Sequence, residues 1–253
     1  MSETEQDQGA EASFFSHLIE LRQRLLKGVV AVGLVLLALM PFANRLYNWL
    51  AKPLLHALPE GSKLVAIEVA SPFFTPLKLA FCTALVIAMP VLLYQIWAFV
   101  APGLYRHEKR LAMPLLLSSV ALFYVGCAFA YFLVLPAVFS FMAKVTPEGV
   151  AMMTDIGKYL DFVLVIFLAF GFCFEVPVAV VILVALGWVT PAQLTESRGY
   201  VIVGAFVVAA ILTPPDVVSQ LMLAVPMCIL YEVGIIAARM LAKSDSPADG
   251  PVT

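Results

Sequence analysis

Residues 159–186 read YLDFVLVIFLAFGFCFEVPVAVVILVAL, an apolar run broken by two acids, Asp161 and Glu175, and by no base. A helix rises 1.5 Å per residue, so about 20 residues cross a ~30 Å hydrocarbon core, and this run is long enough to cross with tilt. Other apolar runs flank it, at approximately Gly28–Ala43, Pro76–Ala101, Leu111–Pro136, Tyr200–Leu212 and Val217–Ala238. The expected fold is therefore an all-α integral membrane protein with six transmembrane helices. The run at Tyr200–Leu212 is short and joins the last one through almost no loop, which implies local bilayer thinning or a protein-facing surface there.

Composition agrees with this. The chain is 62% hydrophobic and 13% charged, whereas soluble domains are nearer half apolar and a quarter charged. Six helices and their loops use nearly all of the 253 residues, which leaves no room for a separate soluble enzyme domain. The expected organisation is a flexible cytoplasmic N-terminus (1–12), a six-span membrane domain (13–240) and a flexible cytoplasmic C-terminus (241–253). The first run follows an acidic segment with Glu3, Glu5, Asp7 and Glu11 rather than a short basic one, so it reads as a retained helix and not a cleaved leader.

Orientation follows from the basic residues. One set of span ends holds Arg22, Arg24, Lys27, Arg106, Lys109, Arg110, Arg198, Arg239 and Lys243; the other holds Arg45, Lys52, Lys63, Lys78, Lys144 and Lys158. The positive-inside rule then places both termini in the cytoplasm, N-in/C-in. The outer connections, Asn44–Thr75 and Ala137–Lys158, are the longest loops. Ser71-Pro72-Phe73-Phe74-Thr75-Pro76 suggests a hydroxyl cap with proline in a first helical turn, and Thr213-Pro214-Pro215-Asp216 repeats that logic with capping-box spacing.

Ahead of the first span, Ser13–Lys27 has helical periodicity and is expected to form a short amphipathic cytoplasmic helix. Phe14, Leu18, Leu21 and Leu25 make one stripe, while Ser16, Glu20, Gln23, Arg24 and Lys27 lie opposite. Glu20 and Arg24 have the favourable i, i+4 order. Arg22 falls inside the apolar stripe. It either snorkels to a lipid phosphate or pairs with an acid on another segment.

Glu175 is the deepest acid. A carboxyl near mid-bilayer is costly and should face protein or water. Gly171 and Ala179 surround it with small residues, and Pro177 can free a carbonyl and kink the helix. Three roles stay open for it: a structural hydrogen bonder, an ion-coupling acid, or a docking point for a partner helix. Asp161 and Glu232 lie nearer span ends and read as interfacial.

Signals for catalysis are missing from the sequence. Cys82, Cys127, Cys173 and Cys228 sit in four separate apolar runs without a CxxC pair, and His107-Glu108-Lys109-Arg110-Leu111 lacks the second histidine of a zinc-protease motif. No phosphate-binding GxxxxGK[ST] loop or GxSxG elbow is present. No cofactor, metal, nucleic acid or enzymatic activity is expected.

Taken together, several segments resemble the TatC family, the multi-span subunit of the twin-arginine protein translocase. They are Ser16-His17-Leu18-Ile19-Glu20-Leu21-Arg22-Gln23-Arg24, Ser71-Pro72-Phe73-Phe74, Tyr94-Gln95-Ile96-Trp97-Ala98-Phe99-Val100-Ala101-Pro102-Gly103-Leu104, Glu108, Phe174-Glu175-Val176-Pro177 and Thr213-Pro214-Pro215-Asp216. They occur in order and at family-like spacing across residues 13 to 240. The resemblance implies an inner-membrane receptor for twin-arginine signal peptides of folded cargo. It would work in a multimeric complex with the single-span TatB and TatA subunits and draw on the proton-motive force. It also implies that Glu20 and Glu108 contact the arginine pair, that Arg22 and Phe99 are important on the cytoplasmic side, and that Pro53 and Asp216 matter on the outer side. Glu175 would be the intramembrane polar site facing partner helices.

Two guanidinium groups call for carboxylates that can accept planar, forked hydrogen bonds, which fits that assignment. On the residues alone, Glu20 and Glu108 are also readable as solvated acids balancing Arg24 and Lys109. The competing function is an ion-coupled secondary transporter using Glu175, against which stand the lone deep acid and the lack of a visible inverted repeat.

Overall fold

The computed structural model describes residues 3–57, 65–100, 112–146, 154–213 and 217–244. These residues are helical almost throughout. Ten α-helices follow one another: α1 (Glu3–Leu39), α2 (Ala43–Ala57), α3 (Ser71–Val100), α4 (Ala112–Phe129), α5 (Leu135–Val145), α6 (Ile156–Cys173), α7 (Val176–Ala185), α8 (Pro191–Glu196), α9 (Arg198–Leu212) and α10 (Val217–Ser244). Among the described residues, five stretches are long and apolar enough to cross a membrane: Leu18–Leu50, Ser71–Phe99, Met113–Val145, Ile156–Ala185 and Val217–Leu241. The sixth expected span, α9, has 15 residues and so covers only about 22 Å.

Several spans are built from pieces, and proline accounts for each joint. Pro41 lies in the 3₁₀ turn Met40–Phe42 between α1 and α2. Between α4 and α5 the chain loosens into one π-helical turn, Ala130–Val134, just before Pro136, whose missing N–H would otherwise break the α-ladder. α6 and α7 separate at Phe174–Glu175, with Pro177 in the first turn of α7. The kink expected at Pro177 is thus a two-residue break on its N-terminal side.

One local expectation needs correction. The amphipathic stretch Ser13–Lys27 is not a separate helix; it continues without interruption into the first span as α1. Gly28 alone does not end a helix, and here it lies against α3, where an added Cβ would come within 2.8 Å of Leu92 Cδ2. Thr213 closes α9, its hydroxyl donating to the Ala209 carbonyl at 2.8 Å, and the expected cap at Thr213-Pro214-Pro215-Asp216 runs into residues 214–216, outside the described residues.

The centre of the bundle is α6. Leu160, Val163, Ile166 and Phe170 are fully buried, joined by Val134, Leu135 and Val138 and by Leu223 of α10. Backbones come close where glycine allows it. A Cβ on Gly126 of α4 would lie 2.5 Å from the Phe170 carbonyl oxygen, and one on Gly234 of α10 would lie 2.9 Å from Pro177 Cα. α1, in contrast, packs on α3 and leaves its other side open, with Leu25, Val29, Leu34 and Leu37 all exposed. Exposed apolar side chains of this kind suit lipid rather than water.

Candidate functional site

One end of the bundle gathers the Glu20 side of α1 with the end of α3. Gly28 meets Leu92, so Glu20, eight residues earlier, and Phe99, seven residues later, lie about 12 and 10 Å from that contact toward the same end. Glu20 is half-buried, and its Oε1 accepts from Arg24 Nε at 2.9 Å and from a terminal guanidinium nitrogen at 2.5 Å. The i, i+4 pair expected from the sequence is formed. Phe99 is half-buried beside Trp97, which is almost wholly buried.

Arg22 is exposed next to Leu18, Ile19, Leu21, Leu25 and Leu26, which are exposed as well. Among the described residues no acid pairs with it, which favours the snorkelling alternative. Glu108 and Asp216 lie outside the described residues, as does the side chain of Pro53, whose backbone belongs to α2.

The second site is the break between α6 and α7. Tight turns close it: Phe174 N–H donates to Phe170 O and Glu175 N–H to Phe172 O, both at 3.1 Å, and Ala179 N–H returns to Glu175 O at 2.9 Å. The half-buried Glu175 carboxyl points at α4, where the buried Ser119 hydroxyl donates to Oε2 at 2.6 Å. Oε1 is buried and has no hydrogen-bond partner among the described residues. Gly171 admits Phe123 on one side, and Phe129 packs on Phe174 with ring centroids 5.7 Å apart. One oxygen is therefore held and the other still needs a donor or acceptor.

Ser119 was not evident from the sequence. It is one hydroxyl in an apolar run, and nothing in spacing alone connects it to an acid 56 residues away. The interfacial reading of Asp161 and Glu232 gains partners in the structure: Lys78 bridges to Asp161, and Arg198 to Glu232 Oε2 at 2.6 Å. Near the latter, Tyr231 donates to the Leu194 carbonyl at 2.8 Å, and Arg239 to the Thr195 hydroxyl at 2.6 Å, fastening the short α8 to α10.

At the opposite end from Glu20, Asp155 organises the start of α6. Its carboxylate accepts from Gly157 N–H and Lys158 N–H as an N-cap, and its second oxygen accepts from Ile67 N–H at 3.0 Å. Val65 pairs with the same segment through Val65 N–H to Thr154 O and Ile156 N–H to Val65 O. The Ile67 hydrogen bond and those from Lys158 and Gly157 hold the Asp155 carboxyl below the usual carboxylate range. Among the described residues no group of three or more His, Cys, Asp or Glu could hold a metal ion.

The geometry is that of a helical membrane scaffold with a guanidinium-bound carboxylate at one end and a half-satisfied carboxyl within it. Comparison with known proteins places it. The sequence model of the family described as Sec-independent protein translocase protein (TatC) matches residues 16–226. The chain is 56% identical over 247 residues to the TatC protein of Azotobacter chroococcum mcd 1, covering 97% of each. It is 54% identical over 224 residues to that of Escherichia coli K12, covering 88% of this chain and 87% of the relative. A crystal structure described as the twin arginine translocase receptor TatC superposes with a TM-score of 0.80 at 38% identity, covering 89% of this chain and 99% of that one. By these matches and its apolar helices, the chain is a multi-pass protein of the bacterial inner membrane and belongs to the TatC family of Sec-independent protein translocase components.

Proposed function

We propose that this chain is the core receptor of a twin-arginine translocation complex, that it binds the Arg-Arg motif of signal peptides at its cytoplasmic face, and that it has no catalytic activity of its own. The observation that carries the reading is the Glu20 carboxylate, which sits at the end of the bundle and already accepts two nitrogens of a guanidinium. Family membership supports the same role. Glu20 and Glu108 together contact the arginine pair, with Arg22 and Phe99 on the same cytoplasmic face. Glu175, Pro53 and Asp216 serve contacts to partner helices or the scaffold. The partners are the single-span TatB and TatA subunits in a multimeric assembly, and transport of folded cargo draws on the proton-motive force. Both termini lie in the cytoplasm, although the flexible segments expected at 1–12 and 241–253 are helical where described, at 3–12 in α1 and 241–244 in α10.

Guanidinium is always charged and binds carboxylate in a planar fork, so the site should prefer Arg-Arg to Lys-Lys peptides. Partial desolvation at the membrane surface sharpens the preference, because an unpaired charge there is penalised. Peptide crosslinking and affinity for Glu20→Ala, Glu108→Ala and the double variant test this. Each single change should weaken Arg-Arg binding, with effects that do not add because one ligand is shared. Full affinity and unchanged arginine preference in both single variants would overturn it. Copurification of small single-span proteins and signal peptides distinguishes a receptor from a secondary transporter.

A further inference from the structure

A half-open cavity of about 280 Å³ lies between α2, α3, α4 and α6, in the half of the bundle opposite Glu20. No charged side chain lines it; the walls include Leu50, Val86, Ala128, Val163 and Phe167. Apart from the hydroxyls of Thr83 and Tyr131 the lining offers water few hydrogen-bond partners, so it favours an apolar occupant. Two of its walls, Trp49 and Phe132, are 62% and 76% exposed, so the mouth opens at the outer surface of the helices, where the surrounding medium is hydrocarbon. Trp49 stacks on Tyr131 with ring centroids 5.9 Å apart, and a tryptophan in such a place marks the level of the membrane interface.

A cation lies beside this mouth. Arg45 is exposed on α2, four residues before Trp49 and so one turn away on the same face. Its guanidinium lies 5.9 Å from the Phe42 ring centroid, and no carboxylate pairs with it among the described residues. Lys78, next to the lining residue Leu79, is already neutralised by Asp161. The geometry points to a phospholipid site: one acyl chain lies in the cavity, and an anionic headgroup phosphate meets Arg45. A protein helix does not fit. It is about 10 Å across, so a space of this volume would take only about two of its residues. A slender chain fills the cavity and restores the dispersion contacts its walls lack when empty. Lipid tails are as apolar as leucine, so selectivity has to come from the headgroup at Arg45.

The test is native mass spectrometry of the full chain released from bilayers of equal phosphatidylglycerol and phosphatidylcholine. One phospholipid should stay bound per chain, with the anionic one preferred by about fivefold, the effect of a single basic residue at a membrane surface. Arg45→Gln, a change at an exposed position, should remove the preference, and Ala128→Phe, which fills the cavity from an exposed wall, should remove the retained lipid. Equal retention of both headgroups by the native chain, or unchanged retention in Ala128→Phe, would overturn the proposal. So would displacement of the lipid by an added Arg-Arg signal peptide that Ala128→Phe excludes, since the cavity would then be a peptide site.

Discussion

The Ser119 hydroxyl of α4 donates a 2.6 Å hydrogen bond to Glu175 Oε2 at the break between α6 and α7. This bond joins two spans at the one carboxyl that lies deep in an apolar run. It occupies half of that carboxyl and leaves Oε1 buried without a partner among the described residues.

Loss of Ser119 should therefore be felt directly. Ser119→Ala leaves both Glu175 oxygens without a donor and should cost about 1–3 kcal/mol, seen as a lower melting temperature in detergent. Glu175→Gln keeps a hydrogen-bonding group and should retain most transport. Glu175→Leu should weaken association with partner helices, measured by copurification. Abolished transport in the Gln variant with the complex still assembled would show that Glu175 carries protons instead.

Topology gives an independent check on the orientation drawn from Lys and Arg. In a cysteine-free background, His107→Cys should be labelled only after the inner face is opened, whereas cysteines between the spans, at residues 51–70 and 146–155, should react from outside intact cells. Outside labelling at 107 would reverse the assignment.

Two glycines should behave oppositely. An added Cβ on Gly126 would lie 2.5 Å from the Phe170 carbonyl oxygen, and backbone cannot step aside as a flexible side chain can. Gly126→Ala should lower stability by about 1–3 kcal/mol. Nothing lies within 4 Å of a Cβ on Gly33, so Gly33→Ala should be neutral or gain up to about 1 kcal/mol of helix propensity. Thermal unfolding of the two variants side by side decides it.

Asp155 makes one attachment pH-sensitive. Its carboxyl is depressed in the folded chain, chiefly by the Ile67 N–H hydrogen bond. The stabilisation it gives is complete above the ordinary value of 3.8 and is lost as pH falls through the lower folded value. The protection of the Ile67 N–H against hydrogen exchange, relative to a free amide at the same pH, should fall below about pH 4 in the native chain. Asp155→Asn should lower it at neutral pH, because an amide oxygen binds the N–H less strongly than a carboxylate.

Much of this architecture is already present in the sequence. Unbroken apolar length is a local property, so the positions of the spans, the shortness of α9 and the break near Pro177 follow from the order of residues alone. The Glu20–Arg24 pair is equally local, since i, i+4 neighbours meet wherever a helix forms. What tertiary structure decided depends on which faces of different helices meet, and a run that is apolar all round does not mark the side that will face its neighbours. That is why Ser119 as the partner of Glu175, Lys78 as the partner of Asp161, and the close approach of Gly126 to Phe170 could not be read in advance. The continuity of α1 through Lys27 belongs to the same class: the local signal allowed a separate helix or a continuous one, and α1 packs on α3 as one helix.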